Sequence, residues 1–165
     1  MEFLIVTGLS GAGKSRAVNA LEDIGFFCAD NIPPKIIPTF YELSQQAKGA
    51  LSHVAVVTDV RGGDMFSSLI ETLNTMIKEN KDYKILFLDA KDYILVNRFK
   101  ETRRKHPLAE NCLGSLEQAV KLERDVLKPV KERADYIIDT SFLSPAQLKE
   151  RISSLFLGDA SDALM

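Results

Sequence analysis

The sequence has few of the residues from which disulfide frameworks and zinc sites are built. Its 165 residues include two cysteines and two histidines. Cys28 and Cys112 form no CxxC pair and belong to no Cys/His cluster, which argues against a disulfide-stapled domain or a structural zinc module. Cys28 lies in an apolar run, and we interpret it as a small core residue rather than a nucleophile.

The chain also lacks a long apolar run and a strong charge of either sign. No stretch is long enough to cross a bilayer, and a net charge of -2 gives no overall field that would attract nucleic acid. The first residues enter a strand pattern directly, without a basic region before an apolar core. We therefore expect a reduced, cytoplasmic protein that makes no membrane contact.

One motif near the start of the chain carries clear chemistry. The pattern G-x-x-x-x-G-K-[ST] is filled by Gly8, Leu9, Ser10, Gly11, Ala12, Gly13, Lys14 and Ser15. An apolar, strand-like run precedes it at 3–6, and apolar residues follow it at helical spacing. A strand, a Gly-rich turn and a helix are the setting in which this pattern forms a phosphate-binding P-loop, whereas the bare pattern also occurs in turns that bind nothing.

The residue types of this loop suit a nucleotide. Glycines let backbone N–H groups converge on phosphate, and the new helix adds the positive end of its dipole. Lys14 is expected to contact the outer phosphates as a catalytic residue, and the Ser15 hydroxyl is expected to ligate Mg²⁺.

Strand-like and helical patterns alternate along the whole chain. The strand-like runs are 3–6, 26–29, 54–58, 84–89 and 136–140. We predict an α/β fold with a doubly wound, mainly parallel five-stranded sheet, as in P-loop NTPases of the nucleoside-kinase type. The length fits one domain, which we assign to 1–157, and 158–165 is expected to be a tail or the start of a linker.

Acidic residues follow several of these strands, where ligands bind in such folds. Asp59 is our choice for the acid on the Mg²⁺ side, as both a metal ligand and a catalytic residue, and Asp89 is the competitor. Arg61, next to Asp59, is a possible phosphate contact. Asp30 is interpreted as a base, a ligand or a structural turn former.

A basic stretch follows the fourth strand. It contains Arg98, Lys100, Arg103, Arg104, Lys105 and His106. Three interpretations stay open: a solvated helix face, a patch for an anionic partner, or a lid in which Arg103 or Arg104 acts as an arginine finger on the transferring phosphate.

Several strings taken together closely resemble the RapZ/YvcJ family of bacterial P-loop nucleotide-binding proteins. These strings are residues 8–15, 20–28, 30–33, 59–61, 86–90, 101–108 and 138–141, so the resemblance spans nearly the whole chain. It implies ATP binding at the P-loop, GTP binding around Asp59, Val60, Arg61 and Gly62, and weak ATPase and GTPase activity. It also implies a C-terminal domain absent from this chain, through which an RNase-adapter-like protein would engage RNA or an RNase partner.

The leading interpretation is therefore a regulatory NTPase domain that uses Mg²⁺ with ATP or GTP. This interpretation is compatible with an oligomer. No Gln or Glu stands out in the sequence as the residue that positions the attacking water, which predicts slow turnover. A small-molecule kinase of the nucleoside or shikimate kind is the alternative. A third interpretation is an interaction module in which the nucleotide selects a conformation and hydrolysis is incidental.

Overall fold

The fold is a parallel α/β sheet with helices packed around it. The computed structural model describes residues 2–47, 52–58, 63–102 and 115–164, with backbone alone for 63–66, 102 and 157–164. The strands are β1 Glu2–Gly8, β2 Phe27–Ala29, β3 His53–Val57, β4 Lys84–Asp89 and β5 Tyr136–Asp139. They form one sheet in the order β2-β3-β1-β4-β5, and each neighbouring pair is parallel.

Helices lie between successive strands, and a further helix follows the last strand. They are α1 Lys14–Asp23, α2 Ile37–Gln46, α3 Gly63–Lys78, α4 Asp92–Thr102, α5 Leu116–Glu132 and α6 Pro145–Leu164, with a short 3-10 helix at Pro34–Ile36 before α2. Because parallel strands need crossover connections, helices can cover both faces of such a sheet. The predicted doubly wound, five-stranded fold is confirmed.

The middle of the sheet is the centre of the core. Phe3, Leu4, Ile5 and Val6 of β1 are buried without the in-and-out alternation of a half-exposed strand, as expected for a central parallel strand covered on both faces. β1 pairs with β3 on one side and β4 on the other. The loop that follows β1 therefore lies at the middle of the carboxyl edge of the sheet, where ligands of α/β proteins bind.

Local signals set several element ends. Gly25 follows α1 with a φ of +102°, which a glycine adopts without strain. Ser115 is the N-cap of α5, since its Oγ accepts the Gln118 N–H at 3.3 Å. The backbone of α6 runs past residue 157 as far as Leu164, so the expected domain boundary does not coincide with a helix end.

Candidate functional site: the phosphate-binding loop

The turn between β1 and α1 depends on a glycine at its start. Gly8 has a φ of +150°, and a Cβ built there would lie 2.2 Å from the Leu88 carbonyl oxygen on β4. The next amide, that of Leu9, donates to the same oxygen at 3.2 Å. Any larger residue at position 8 would push the loop off the neighbouring strand, so the loop is seated directly on β4.

The N-terminus of α1 is open to an anion. Its N-cap is Gly13, in the left-handed region at φ +105°, which offers no side chain to cap the helix. The first helical turn contains no acidic residue. The first intrahelical bond is donated by Ala17 to the Gly13 carbonyl, so the helix itself supplies no partner to the amides of Ser15 and Arg16. These donors and the helix dipole favour a negatively charged ligand.

The Lys14 ammonium lies against the start of the loop. Its Nζ donates to the carbonyl oxygens of Gly8 at 3.0 Å and Leu9 at 3.2 Å. The side chain therefore folds back across the turn instead of extending into solvent. Ser15, expected to ligate Mg²⁺, lies in the first turn of α1 and is exposed. A hydroxyl oxygen at this position fits a hard cation such as Mg²⁺.

Groups from distant parts of the chain hold the carbonyl oxygens of the loop. The Thr140 Oγ, just after β5, donates to the Ala12 carbonyl at 2.6 Å. Arg98 on α4 donates to the Gly11 carbonyl at 2.8 Å and to the Thr140 carbonyl at 2.9 Å. Burial, and next the charge of Arg16, lower the pKa of Arg98. Arg98 therefore helps to hold the loop in place. None of the three interpretations of the basic stretch includes this role.

A buried carboxylate holds the near side of the loop. Glu123 of α5, which is 2% exposed, accepts the Ser10 N–H at 2.9 Å and the Ser10 hydroxyl at 2.6 Å. Sequence reasoning missed this residue. The helical spacing of α5 indicates that position 123 falls on the buried face with Val120 and Leu127, and a charged residue there was the available signal.

Asp89, the competitor for the metal-side acid, is occupied by cations of the protein. Its Oδ1 accepts Arg124 Nη1 at 2.9 Å, and its Oδ2 accepts Lys131 Nζ at 2.7 Å. The Ala90 N–H also donates to Oδ1, at 2.7 Å. Burial raises the pKa of Asp89, but these hydrogen bonds outweigh burial and the net pKa is lowered. The carboxylate is thus ionised and neutralised within the fold.

Other acidic candidates form turns. The exposed Asp30 follows β2, and its Oδ1 accepts the Asn31 N–H at 2.8 Å. This contact agrees with a turn former. Asp139 accepts the Ser141 N–H in the same manner at 2.9 Å.

Burial, followed by the charges of Glu22 and Asp30, raises the pKa of Cys28 to about 11, so its thiol stays protonated.

Several predicted site residues lie outside the described part of the chain. They are Asp59, Val60, Arg61, Gly62, Arg103 and Arg104. The residue before Asp59 is described: the Thr58 N–H donates to the Val6 carbonyl at 3.1 Å. Thr58 thus lies beside the end of β1. Among the described residues, no group of three or more His, Cys, Asp or Glu side chains forms a metal cluster.

Solved structures to which this chain is similar include two shikimate kinases. Shikimate kinase from Acinetobacter baumannii matches with a TM-score of 0.61 and 17% identity, over 96% of this chain and 94% of that one. Shikimate kinase from Bacteroides thetaiotaomicron matches with a TM-score of 0.60 and 16% identity, over 97% and 98%. At these identities the likeness concerns the fold. Within the part of the chain that the structure describes, no helix is long and apolar enough to span a membrane.

Sequence comparison finds much nearer relatives. A protein of Caldicellulosiruptor bescii called "Nucleotide-binding protein" is 46% identical over all of this chain, which covers 57% of that protein. One of the same name from Acetivibrio thermocellus is 50% identical over 95% of this chain and 53% of its own length. The chain thus spans about half the length of these relatives. The model of the RapZ-like N-terminal domain matches residues 1–160, and the chain therefore belongs to the RapZ-like family, as a member of its N-terminal domain.

Proposed function

We propose that this domain binds ATP and GTP with Mg²⁺ and hydrolyses them slowly, as the regulatory nucleotide-binding part of an RNase-adapter-like protein. The observation that carries the proposal is the P-loop itself, in which Lys14 lies beside a helix N-terminus open to an anion. Its backbone is held from outside at Leu9, Ser10, Gly11 and Ala12. A cradle held in this way can bind phosphate without first being ordered.

Each residue of the loop has a role in this proposal. Lys14 would release its carbonyl contacts and place its charge on the outer phosphates. Ser15 and Asp59 would hold Mg²⁺, which, when bound, neutralises charge on the phosphate oxygens. Water would attack the terminal phosphorus as the bridging P–O bond breaks, with Arg103 or Arg104 stabilising the charge of the transferring group. The water's proton leaves with the phosphate product.

The state of Asp89 favours Asp59 as the metal-side acid. Asp89 already accepts from Arg124, Lys131 and a backbone amide, so recruiting it for Mg²⁺ would require breaking its ion pairs. We expect Asp59→Asn to reduce Mg²⁺-dependent hydrolysis more than binding, and Asp89→Asn to leave that dependence unchanged. An equal loss in Asp89→Asn alone would move the assignment to Asp89.

The GTP site, the RNA and the RNase partner belong to the same proposal. Val60, Arg61 and Gly62 would contact GTP, next to Asp59. The relatives are nearly twice as long as this chain, so RNA or RNase binding is proposed for the remainder of such a protein, working in the cytoplasm. The near-neutral charge of this chain agrees with that division.

The test is phosphate release from Mg-ATP and from Mg-GTP, alone and with a panel of small metabolites. We expect slow release without an acceptor, abolished in Lys14→Ala. Stoichiometric transfer of the phosphoryl group to one metabolite would instead establish the small-molecule kinase. Tight binding without turnover would instead support an interaction module in which the nucleotide selects a conformation.

A further inference from the structure

We infer that Glu123 is a positioning residue of the P-loop, whose carboxylate fixes Ser10 in the conformation that binds nucleotide. The inference rests on the proposed nucleotide binding and concerns how the same site is held. It assigns to α5, a helix 113 residues further along the chain than Ser10, control over the first half of the loop.

The contact is a two-point attachment. One carboxylate oxygen accepts the Ser10 backbone N–H at 2.9 Å and the other accepts the Ser10 hydroxyl at 2.6 Å. The two oxygens of a carboxylate, at their fixed spacing, match the amide and the hydroxyl of one residue. Since the backbone amide is one of the two, the attachment fixes the main chain of the loop as well as a side chain.

The burial of Glu123 argues that the contact is specific. A carboxylate that is 2% exposed is costly to place inside a protein unless hydrogen bonds compensate for the lost water. A surface glutamate that met Ser10 by chance would keep most of its exposure. This side chain instead points from the buried face of α5 into the loop.

The neighbouring residue links the same helix to the sheet. Arg124 donates to Asp89 at 2.9 Å, to Asp92 at 2.8 Å and to the Ala90 carbonyl at 2.7 Å. Consecutive residues of α5 therefore hold the P-loop and the end of β4. Through this pair, the position of Ser10 is set relative to the same strand on which Gly8 rests.

The conservative replacement separates geometry from charge. In Glu123→Gln, the amide oxygen can accept the Ser10 N–H, and the amide NH₂ can donate to the hydroxyl, which accepts as readily as it donates. In Glu123→Ala, both attachments are lost. If Glu123 acts by positioning, the glutamine variant retains function and the alanine variant does not.

The experiment is calorimetric titration of the folded protein with Mg-ATP. We expect Glu123→Ala to weaken binding about tenfold and Glu123→Gln to stay within about threefold of wild type, where tenfold corresponds to about 1.4 kcal/mol. Ser10→Ala, which removes one of the two contacts, should lie between them. Adding Ser10→Ala to Glu123→Ala should weaken binding no further, because Glu123→Ala has already removed the hydroxyl contact.

Controls distinguish positioning from general destabilisation. Val130→Ala, on the buried face of α5 about two turns beyond Glu123, removes packing at a distance from Ser10 and should leave Mg-ATP affinity unchanged. The inference is overturned if Glu123→Ala binds like wild type, if Val130→Ala loses as much affinity, or if Glu123→Gln binds as weakly as Glu123→Ala. A flat titration of the wild-type protein would instead remove the proposed function.

Discussion

The Thr140 hydroxyl donates to the Ala12 carbonyl oxygen at 2.6 Å, joining the end of β5 to the P-loop across 128 residues of sequence. The same oxygen atom lies 3.2 Å from the Asp89 carbonyl. One threonine thus connects the P-loop with β4 and β5, the two strands on one side of the central strand β1. This attachment and that of Glu123 approach the loop from different elements, which explains how a glycine-rich turn can keep a defined shape.

Thr140→Val should weaken both the fold and the site. The valine fills the same space but leaves the Ala12 carbonyl without its donor, so we expect a loss of about 2 kcal/mol in the free energy of unfolding. We also expect weaker Mg-ATP binding. Thr140→Ser, which retains the hydroxyl, is the matched control for urea denaturation and titration. Equal stability of the serine and valine variants would contradict this role.

Gly8→Ala should be among the most damaging single changes in the loop. Its Cβ would lie 2.2 Å from the backbone oxygen of Leu88, and strand backbone in a packed core cannot move aside cheaply. We expect a destabilisation of about 3 kcal/mol, measured by chemical denaturation. Gly25→Ala is the control: that glycine also has positive φ, but within the described residues, its two chain neighbours aside, no atom lies within 4 Å of its built Cβ. It should cost about 1–2 kcal/mol for the backbone conformation alone, and an equal cost at both positions would contradict the steric argument.

Two buried hydroxyls close to the P-loop predict the opposite effect. Thr7 and Thr58 are fully buried, and their Oγ atoms have no hydrogen-bond partner in the described part of the chain. They follow the registered pair Val6 and Val57 on β1 and β3. Thr7→Val replaces an unsatisfied hydroxyl by a methyl of similar size, so we expect about 1 kcal/mol of added stability in denaturation without nucleotide. A destabilised Thr7→Val would mean that the hydroxyl has a partner such as buried water.

Asp89 should make the protein sensitive to acid. Its pKa, ordinarily 3.8, is lowered in the fold: burial opposes ionisation, but the hydrogen bonds from Lys131 and Arg124 prevail. A carboxyl with a lowered folded pKa stabilises the protein above its unfolded pKa, and this contribution is lost as the pH falls through the folded value. We expect the unfolding free energy of wild type to drop more steeply below about pH 4 than that of Asp89→Asn, in urea denaturation at a series of pH values.

The control for this loss of stability at acid pH is an exposed ion pair. Asp23 lies 3.0 Å from Lys149, with both side chains 55% exposed. Solvent screens such a pair, so Asp23→Asn should keep the wild-type acid slope. If Asp89→Asn also keeps that slope, the ionised state of Asp89 does not contribute to stability.

The fold could be predicted from the sequence because its signals are local. Apolar runs mark the strands, a Gly-rich turn separates β1 from α1, and a serine, Ser115, caps α5. Even the second strand, which has three residues, was predicted to within one residue of its start. Apolar character alone does not identify a core residue, since Ile77 at the end of α3 is 58% exposed.

The contacts that hold the loop could not be predicted in this way. Arg98, Glu123 and Thr140 reach the loop over 87, 113 and 128 residues, respectively. Spacing along the chain contains no information on which of many polar residues meets a given carbonyl. A run of basic residues also does not show that its members share a role. Arg98 was grouped with the basic residues that follow it, but its hydrogen bonds go to the loop and to Thr140.

In the proposed function, the turn from residue 8 to residue 15 is a phosphate cradle whose charge comes from Lys14, held beside the Gly8 carbonyl at 3.0 Å. Calorimetric titration with Mg-ATP and Mg-GTP tests it most directly, comparing wild type with Lys14→Ala and with Lys78→Ala, a change at the last residue of α3. We predict saturable binding for wild type and Lys78→Ala, and at least about tenfold weaker binding for Lys14→Ala. Equal affinity in all three proteins, or no heat from wild type at millimolar nucleotide, would contradict it.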